Sequence, residues 1–160
     1  MRKHIIDKPR VADTAAENRV WLDIASLAQA DLTSEDPAYP IEAALQLQDD
    51  RESGWRATGT GEQTIRLLFD APTPVRHIRL LFRETETQRT QEFVLRWRSD
   101  TAGEWREIVR QQYTFSPPHT SEELEDYGVE LDALSELELS IVPDIGGGPA
   151  RASLAQLRLA

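Results

Sequence analysis

Cysteine is absent from all 160 residues, which excludes a disulfide framework, a zinc–thiolate site and a thiol nucleophile. Such a chain suits a reducing compartment, and a cytoplasmic location is expected. Long apolar runs are missing as well: no stretch reaches the roughly 18 to 20 apolar residues that a membrane-spanning helix needs. The opening MRKHIIDKPRVADTAAENR carries charges throughout and lacks the apolar run and small-residue cleavage site of a secretory signal. A soluble, unexported protein without a membrane span is therefore expected. The histidines, His4, His77 and His119, are far apart with no ligand spacing, which argues against zinc. Neither a GxSxG nucleophile motif nor a phosphate-cradling GxxxxGK[ST] occurs, and the glycines at 146–148 precede no helix or lysine, so they read as a turn. Glu84 and Glu92 are the only pair worth weighing for glycoside hydrolysis, and two glutamates in one polar loop are too common to carry it. No catalytic machinery is expected.

Lysine is nearly absent, with only Lys3 and Lys8. The formal net charge of -10 argues against a nucleic-acid partner, because phosphate neutralisation calls for clustered cations. The charge is unevenly placed. Residues 120–138 hold eight acidic residues and no basic one, whereas 76–110 hold eight arginines against six acids. Arginine supplies fixed, planar hydrogen bonding. These arginines are expected to pair with the acidic stretch, either inside the fold or across a homo-oligomer interface.

What is present is strand alternation. In 64–70, Ile65, Leu67 and Phe69 fall on one face; in 78–82, Ile78, Leu80 and Phe82 do the same. With a Pro-containing turn between them, the two segments read as a hairpin. Phe93, Leu95 and Trp97 mark another strand, 105–115 a longer one, and short strands follow around Tyr127 and around Leu137, Leu139 and Ile141, with Leu157 and Leu159 closing the chain. Trp97 and Trp105 read as core by alternation, and Trp55 as packing on the sandwich edge. Residues 83–92 and 116–126 read as loops. Short helical turns are expected at 24–28, after Asp23, and at 41–47. Residues 1–20 read as an N-terminal arm, and 21–160 as one all-β domain, a jelly-roll β-sandwich of about eight antiparallel strands with one or two short helices.

The run SLAQADLTSEDPAYPIEAALQLQDDRESGWRA, the segment EFVLRWRSDTAGEW with Ser99, Asp100, Gly103 and Trp105, and the closing ASLAQLRLA together resemble discoidin-type, galactose-binding-like domains over roughly residues 25–160. That resemblance implies a jelly roll whose loops at one end bind sugars, phospholipid headgroups or proteins, without catalysis. WRATGTGEQTI also resembles a strand of a DNA single-strand-break repair scaffold domain with the same fold. Discoidin domains often hold calcium in an Asp-Gly-Asp-x-x-Thr-x-Trp loop. Here the loop reads Asp49-Asp50-Arg51-Glu52-Ser53-Gly54-Trp55, which makes Asp49 and Asp50 the candidate calcium ligands while departing from the pattern at Arg51 and at the missing glycine.

The favoured function is a non-catalytic module that binds carbohydrate, with a protein-interaction or homo-oligomerisation domain as the alternative. Arg89 stands where the resemblance places an arginine against sugar hydroxyls, and Gln91 beside it both donates and accepts. The competing account makes Arg89, Gln91 and Glu92 a network that holds the loop. Arg110 and Tyr113 pair a guanidinium with an aromatic ring. His119, in a Pro-rich loop, is the histidine to test for ligand contact, and Glu35 and Tyr39 on the turn before residue 41 complete the candidate ligand-binding set.

Overall fold

The computed structural model describes residues 19–48 and 53–160. Among them the elements run α1 (Ile24–Leu27), β1 (Ala28–Leu32), α2 (Ile41–Leu45), β2 (Trp55–Arg56), β3 (Gln63–Arg83), β4 (Arg89–Arg98), β5 (Arg106–Phe115), β6 (Glu122–Val142), β7 (Ser153–Leu154) and β8 (Gln156–Leu159). All strand pairs are antiparallel. The sheet is ordered β1-β3-β6-β4-β5, β8 pairs with β3, and β2 and β7 form a separate two-stranded ribbon.

Two 21-residue strands organise the sandwich. The segment expected to be a hairpin, 64–82, is instead one continuous strand that does not pair with itself. Its first part, from Gln63 to Leu68, pairs with β1 and with the end of β6; its second part, from His77 to Arg83, pairs with the start of β6 and with β8. Register shifts between Leu68 and His77 mark the corner. Pro72 and Pro74 lie there and cannot donate to the ladder, so the pairing is interrupted and the strand bends from one layer into the other. The corner also shifts the side-chain phase: Ile65 and Leu67 face inward before it, and Ile78, Leu80 and Phe82 after it, all within 1 % of complete burial. Phe82 of one layer stacks on Phe93 of the other with ring centroids 5.1 Å apart, closing the core between them.

The acidic stretch differs from expectation too. Residues 122–126 belong to β6 rather than to a loop, and β6 is one strand where two short ones were expected. Its acids meet the arginines within one chain. Glu138 takes Arg66 at 2.7 Å and Arg96 at 3.5 Å, Glu136 takes Arg98 at 2.8 Å, and Asp126 takes Arg79 at 2.9 Å and also contacts His77. The charge complementarity offered for self-association is thus used internally.

Trp55 is the tryptophan most deeply in the core, 1 % exposed. Trp105 is not in it. A register shift opposite Leu95 and Arg96 reverses the phase of β5, so Trp105 sits on the outer face between the guanidinium groups of Arg66 and Arg98, 5.3 and 4.5 Å from its ring centre.

Candidate functional site

At one end of the sandwich a cleft of about 360 Å3 opens between the start of β2, the β3–β4 loop and the β6–β7 loop. Gly54 makes the first wall buildable. Its φ is +149°, and a Cβ there would lie 2.5 Å from the carbonyl oxygen of Leu154, so only glycine lets β2 lie this close against β7. Trp55 follows, anchored by donation from its Nε1 to the Ser34 carbonyl at 3.2 Å. Arg56 donates its backbone N–H to the Tyr39 carbonyl at 3.2 Å and lays its guanidinium over the Tyr39 ring, 4.4 Å from the centre.

Arg89 forms the floor. As the first residue of β4 it is 4 % exposed, and its guanidinium makes three donations: Nε donates to Glu84 Oε1 at 2.7 Å, and Nη1 donates to the Pro143 carbonyl at 2.6 Å and to Gln91 Oε1 at 3.3 Å, over the Phe115 ring. Burial opposes the charge on Glu84, yet hydrogen bonds from Arg89 and from the Glu86 backbone hold its carboxyl below the usual carboxylate range. Behind the floor, Gln91 is fully buried and donates through Nε2 to Glu123 Oε1 at 3.3 Å. Burial, reinforced by the neighbouring Glu125, pushes the Glu123 carboxyl up to about 8. Its Oε2 is buried and receives no hydrogen bond, which fits a carboxyl that keeps its proton at neutral pH. Burial and the same Glu125 push the Tyr127 hydroxyl up as well.

Of the residues singled out from the sequence, Tyr39 and Arg89 line the cleft, and Gln91 stands directly behind Arg89. The others lie elsewhere. Tyr113 packs edge-on against Phe115 and donates to the Glu122 carbonyl at 2.9 Å, joining β5 to β6, so it approaches Arg89 only through Phe115. Arg110 is paired with Glu92 at 2.7 Å and Glu107 at 3.0 Å on the outer face of β5. Glu35 accepts the Ile41 backbone N–H at 2.8 Å, supplying α2 with the capping group that Pro40 lacks. His119 is exposed in the β5–β6 loop, beside the cis Pro117–Pro118 bond, with its backbone N–H on the Ser116 carbonyl. Asp49 and Asp50 lie outside the described residues, among which no group of three or more His, Asp or Glu is placed to hold a metal ion. Glu84 and Glu92 are not a pair: one is held by Arg89 at the cleft, and the other faces outward to Arg110 and Gln112.

Sequence reasoning missed Arg56, Arg83, Asp144 and Arg151, which also line the cleft. The one local signal for them was the glycine and tryptophan before Arg56; the others come together only through the long crossing of β3 and β6.

No family model and no curated protein matches the chain. Solved structures do. The family 32 carbohydrate-binding module of Clostridium perfringens NanJ, in complex with galactose, superposes with a TM-score of 0.61 at 14 % identity, covering 87 % of this chain and 96 % of that one. A further family 32 module from the same organism, CpGH89CBM32-5 in complex with GalNAc-β-1,3-galactose, gives 0.64 at 17 % identity over 88 % and 99 %. The family 32 module of AlyQ, in complex with 4,5-unsaturated mannuronic acid, gives 0.62 at 14 % identity over 89 % and 98 %. This chain has the galactose-binding-like, discoidin-type fold. In this galactose-binding-like sandwich the long β3–β6 pair joins the two layers, and the cleft sits where three loops meet.

Proposed function

We propose that the protein is a non-catalytic carbohydrate-binding module that takes its ligand in the loop-end cleft. The observation that carries this reading is the cleft itself. At about 360 Å3 it falls at the lower end of the roughly 300 to 1,000 Å3 usual for ligand sites, and its walls converge guanidinium, carboxylate and hydroxyl groups from separate segments. Sugar hydroxyls both donate and accept. Arg56 and Arg151 supply donors, Asp144 supplies acceptors and Thr85 supplies both. Arg89 acts beneath this surface as a positioning residue, fixing the β3–β4 loop through Glu84 and the β6–β7 loop through the Pro143 carbonyl. Sugars are the ligands named for three solved neighbours of the same fold.

Amide chemical-shift mapping during titration with neutral and acidic mono- and disaccharides tests the reading. Saturable shifts are expected at Tyr39, Arg56, Thr85, Asp144 and Arg151. No shifts with any sugar, or shifts confined to the outer face around Trp105, would refute it.

A further inference from the structure

We infer that the cleft selects a saccharide bearing a carboxylate over its neutral counterpart, an inference that rests on the carbohydrate reading above. Four guanidinium groups line the cleft in a chain whose net charge is -10. Arg89 donates to Gln91 and to the Pro143 carbonyl and is closely paired with a carboxylate, Glu84 at 2.7 Å. The other three are not. Arg83 has its Nε 3.5 Å from Glu122 Oε1, and its Nη2 is buried without a hydrogen-bond partner. Arg151 comes no nearer than 4.0 Å to Asp36. Arg56 pairs with no carboxylate among the described residues and rests on the Tyr39 ring.

The acids of the walls number three, Glu84, Glu86 and Asp144, against the four guanidinium groups, which leaves one cation in excess among the lining residues. Glu84 is tied to Arg89 and to the Glu86 backbone, Glu86 is exposed on the loop, and Asp144 keeps its charge while one of its oxygens accepts the Gly146 backbone N–H at 2.9 Å. A guanidinium held at long range by one carboxylate raises the positive potential of the wall it belongs to, and low-dielectric walls focus that potential into the opening. Arg83 acts this way through its charge, while Arg56 and Arg151 present planar forks that match a carboxylate.

The aromatic groups point the same way. A neutral sugar ring gains from an open aromatic platform, and this cleft offers little of one. Trp55 is 1 % exposed, and Arg56 occupies one face of Tyr39. Recognition therefore falls to the cations.

A glycan array of matched neutral and acidic saccharides, followed by calorimetry of the best acidic hit against its carboxyl-reduced form at low and high salt, tests this. Hits concentrated among carboxylate-bearing glycans are expected, with the acid favoured about tenfold at low salt and less at high salt, as a charge-assisted pair requires. Arg83→Gln and Arg56→Gln are each expected to lower the acid-to-neutral affinity ratio severalfold; Arg56 is partly exposed, so its variant keeps the test readable if the other fails to fold. Hits confined to neutral glycans, or an unchanged ratio in a folded variant, would overturn the inference and leave the carbohydrate module standing. An array without hits would overturn both.

Discussion

Arg89 and Glu123 are joined through one side chain: Gln91 accepts from the guanidinium and donates to the carboxyl, each at 3.3 Å, inside a fully buried stretch between the two layers. The floor of the cleft is thereby linked to a carboxyl that stays neutral because it is buried beside Glu125.

A pH dependence follows. The folded state holds the Glu123 proton up to about 8, against an ordinary value of 4.5, so between these values the folded chain binds more protons than the unfolded one. Its contribution to stability is complete below about 4.5, declines as pH rises and is gone above about 8. Glu84 and Asp126 act in the opposite sense. Their carboxyls are held low by Arg89, and by Arg79 with His77, so their contributions are lost as pH falls into the acid range. Thermal melts should therefore show greatest stability in mildly acidic solution. Glu123→Gln should flatten the alkaline limb and raise stability at pH 9 by about 2 kcal/mol, the scale of a buried charge left poorly paired. An unchanged alkaline limb would refute the assignment.

Arg89→Met removes the donor that Glu84, Gln91 and the Pro143 carbonyl all use. Breaking a buried pair from one side typically costs about 3 to 5 kcal/mol, because the partner stays buried and charged. Glu84 is less deeply buried than Arg89, which places the expected loss near the lower figure. Urea denaturation measures it. A loss under about 1 kcal/mol would show that the network does not hold the loops.

The inward sets Ile65 and Leu67, and Ile78, Leu80 and Phe82, were legible in the sequence because side chains in a strand alternate whatever the strand pairs with. The connection between them was not. Pro72 and Pro74 read locally as a turn, and whether a strand turns back or bends over depends on a partner, β6, some fifty residues further on. Residues 122–126 read as a loop because the alternation there is inverted: Glu123 is buried, whereas Leu124 is 59 % exposed. A polar interior held by Gln91 hides the core face from any hydrophobic pattern. At the site, Arg89 was legible as an arginine closing a polar loop, while Arg56, Arg83 and Arg151 meet only through the tertiary crossing.

Gly54→Ala tests whether the β2–β7 ribbon is needed to shape the cleft. The new methyl would meet backbone rather than a side chain that can swing aside, and the positive φ adds strain of its own. Together these should cost about 2 to 4 kcal/mol, or force the ribbon to open with loss of the Trp55–Leu154 pairing. Amide hydrogen exchange at residues 54–57 and 152–155 distinguishes the two results. Exchange and melting temperature both unchanged would mean that the close approach is not required.

The arginine–acid pairs differ enough in burial to separate solvent screening from geometry. Arg98 and Glu136 are 18 % and 3 % exposed in their side chains, and both Nε and Nη2 of the arginine donate to one carboxylate oxygen, at 3.0 and 2.8 Å. Arg76 and Asp132 are 55 % and 85 % exposed and share a single contact at 2.7 Å. Distance alone would rank the second pair at least equal to the first. Solvation ranks them the other way, since an exposed pair is screened and spends side-chain entropy to hold its geometry. Double-mutant cycles to alanine should give a coupling of about 1.5 to 3 kcal/mol for Arg98–Glu136, little affected by salt, and under about 0.5 kcal/mol for Arg76–Asp132, vanishing at high salt. Equal couplings would mean that the outer-face ladder is no better shielded than the strand corner. The arginine-rich and acidic stretches would then stabilise the fold by net charge neutralisation alone rather than by the specific pairs that β3, β4 and β6 bring into register.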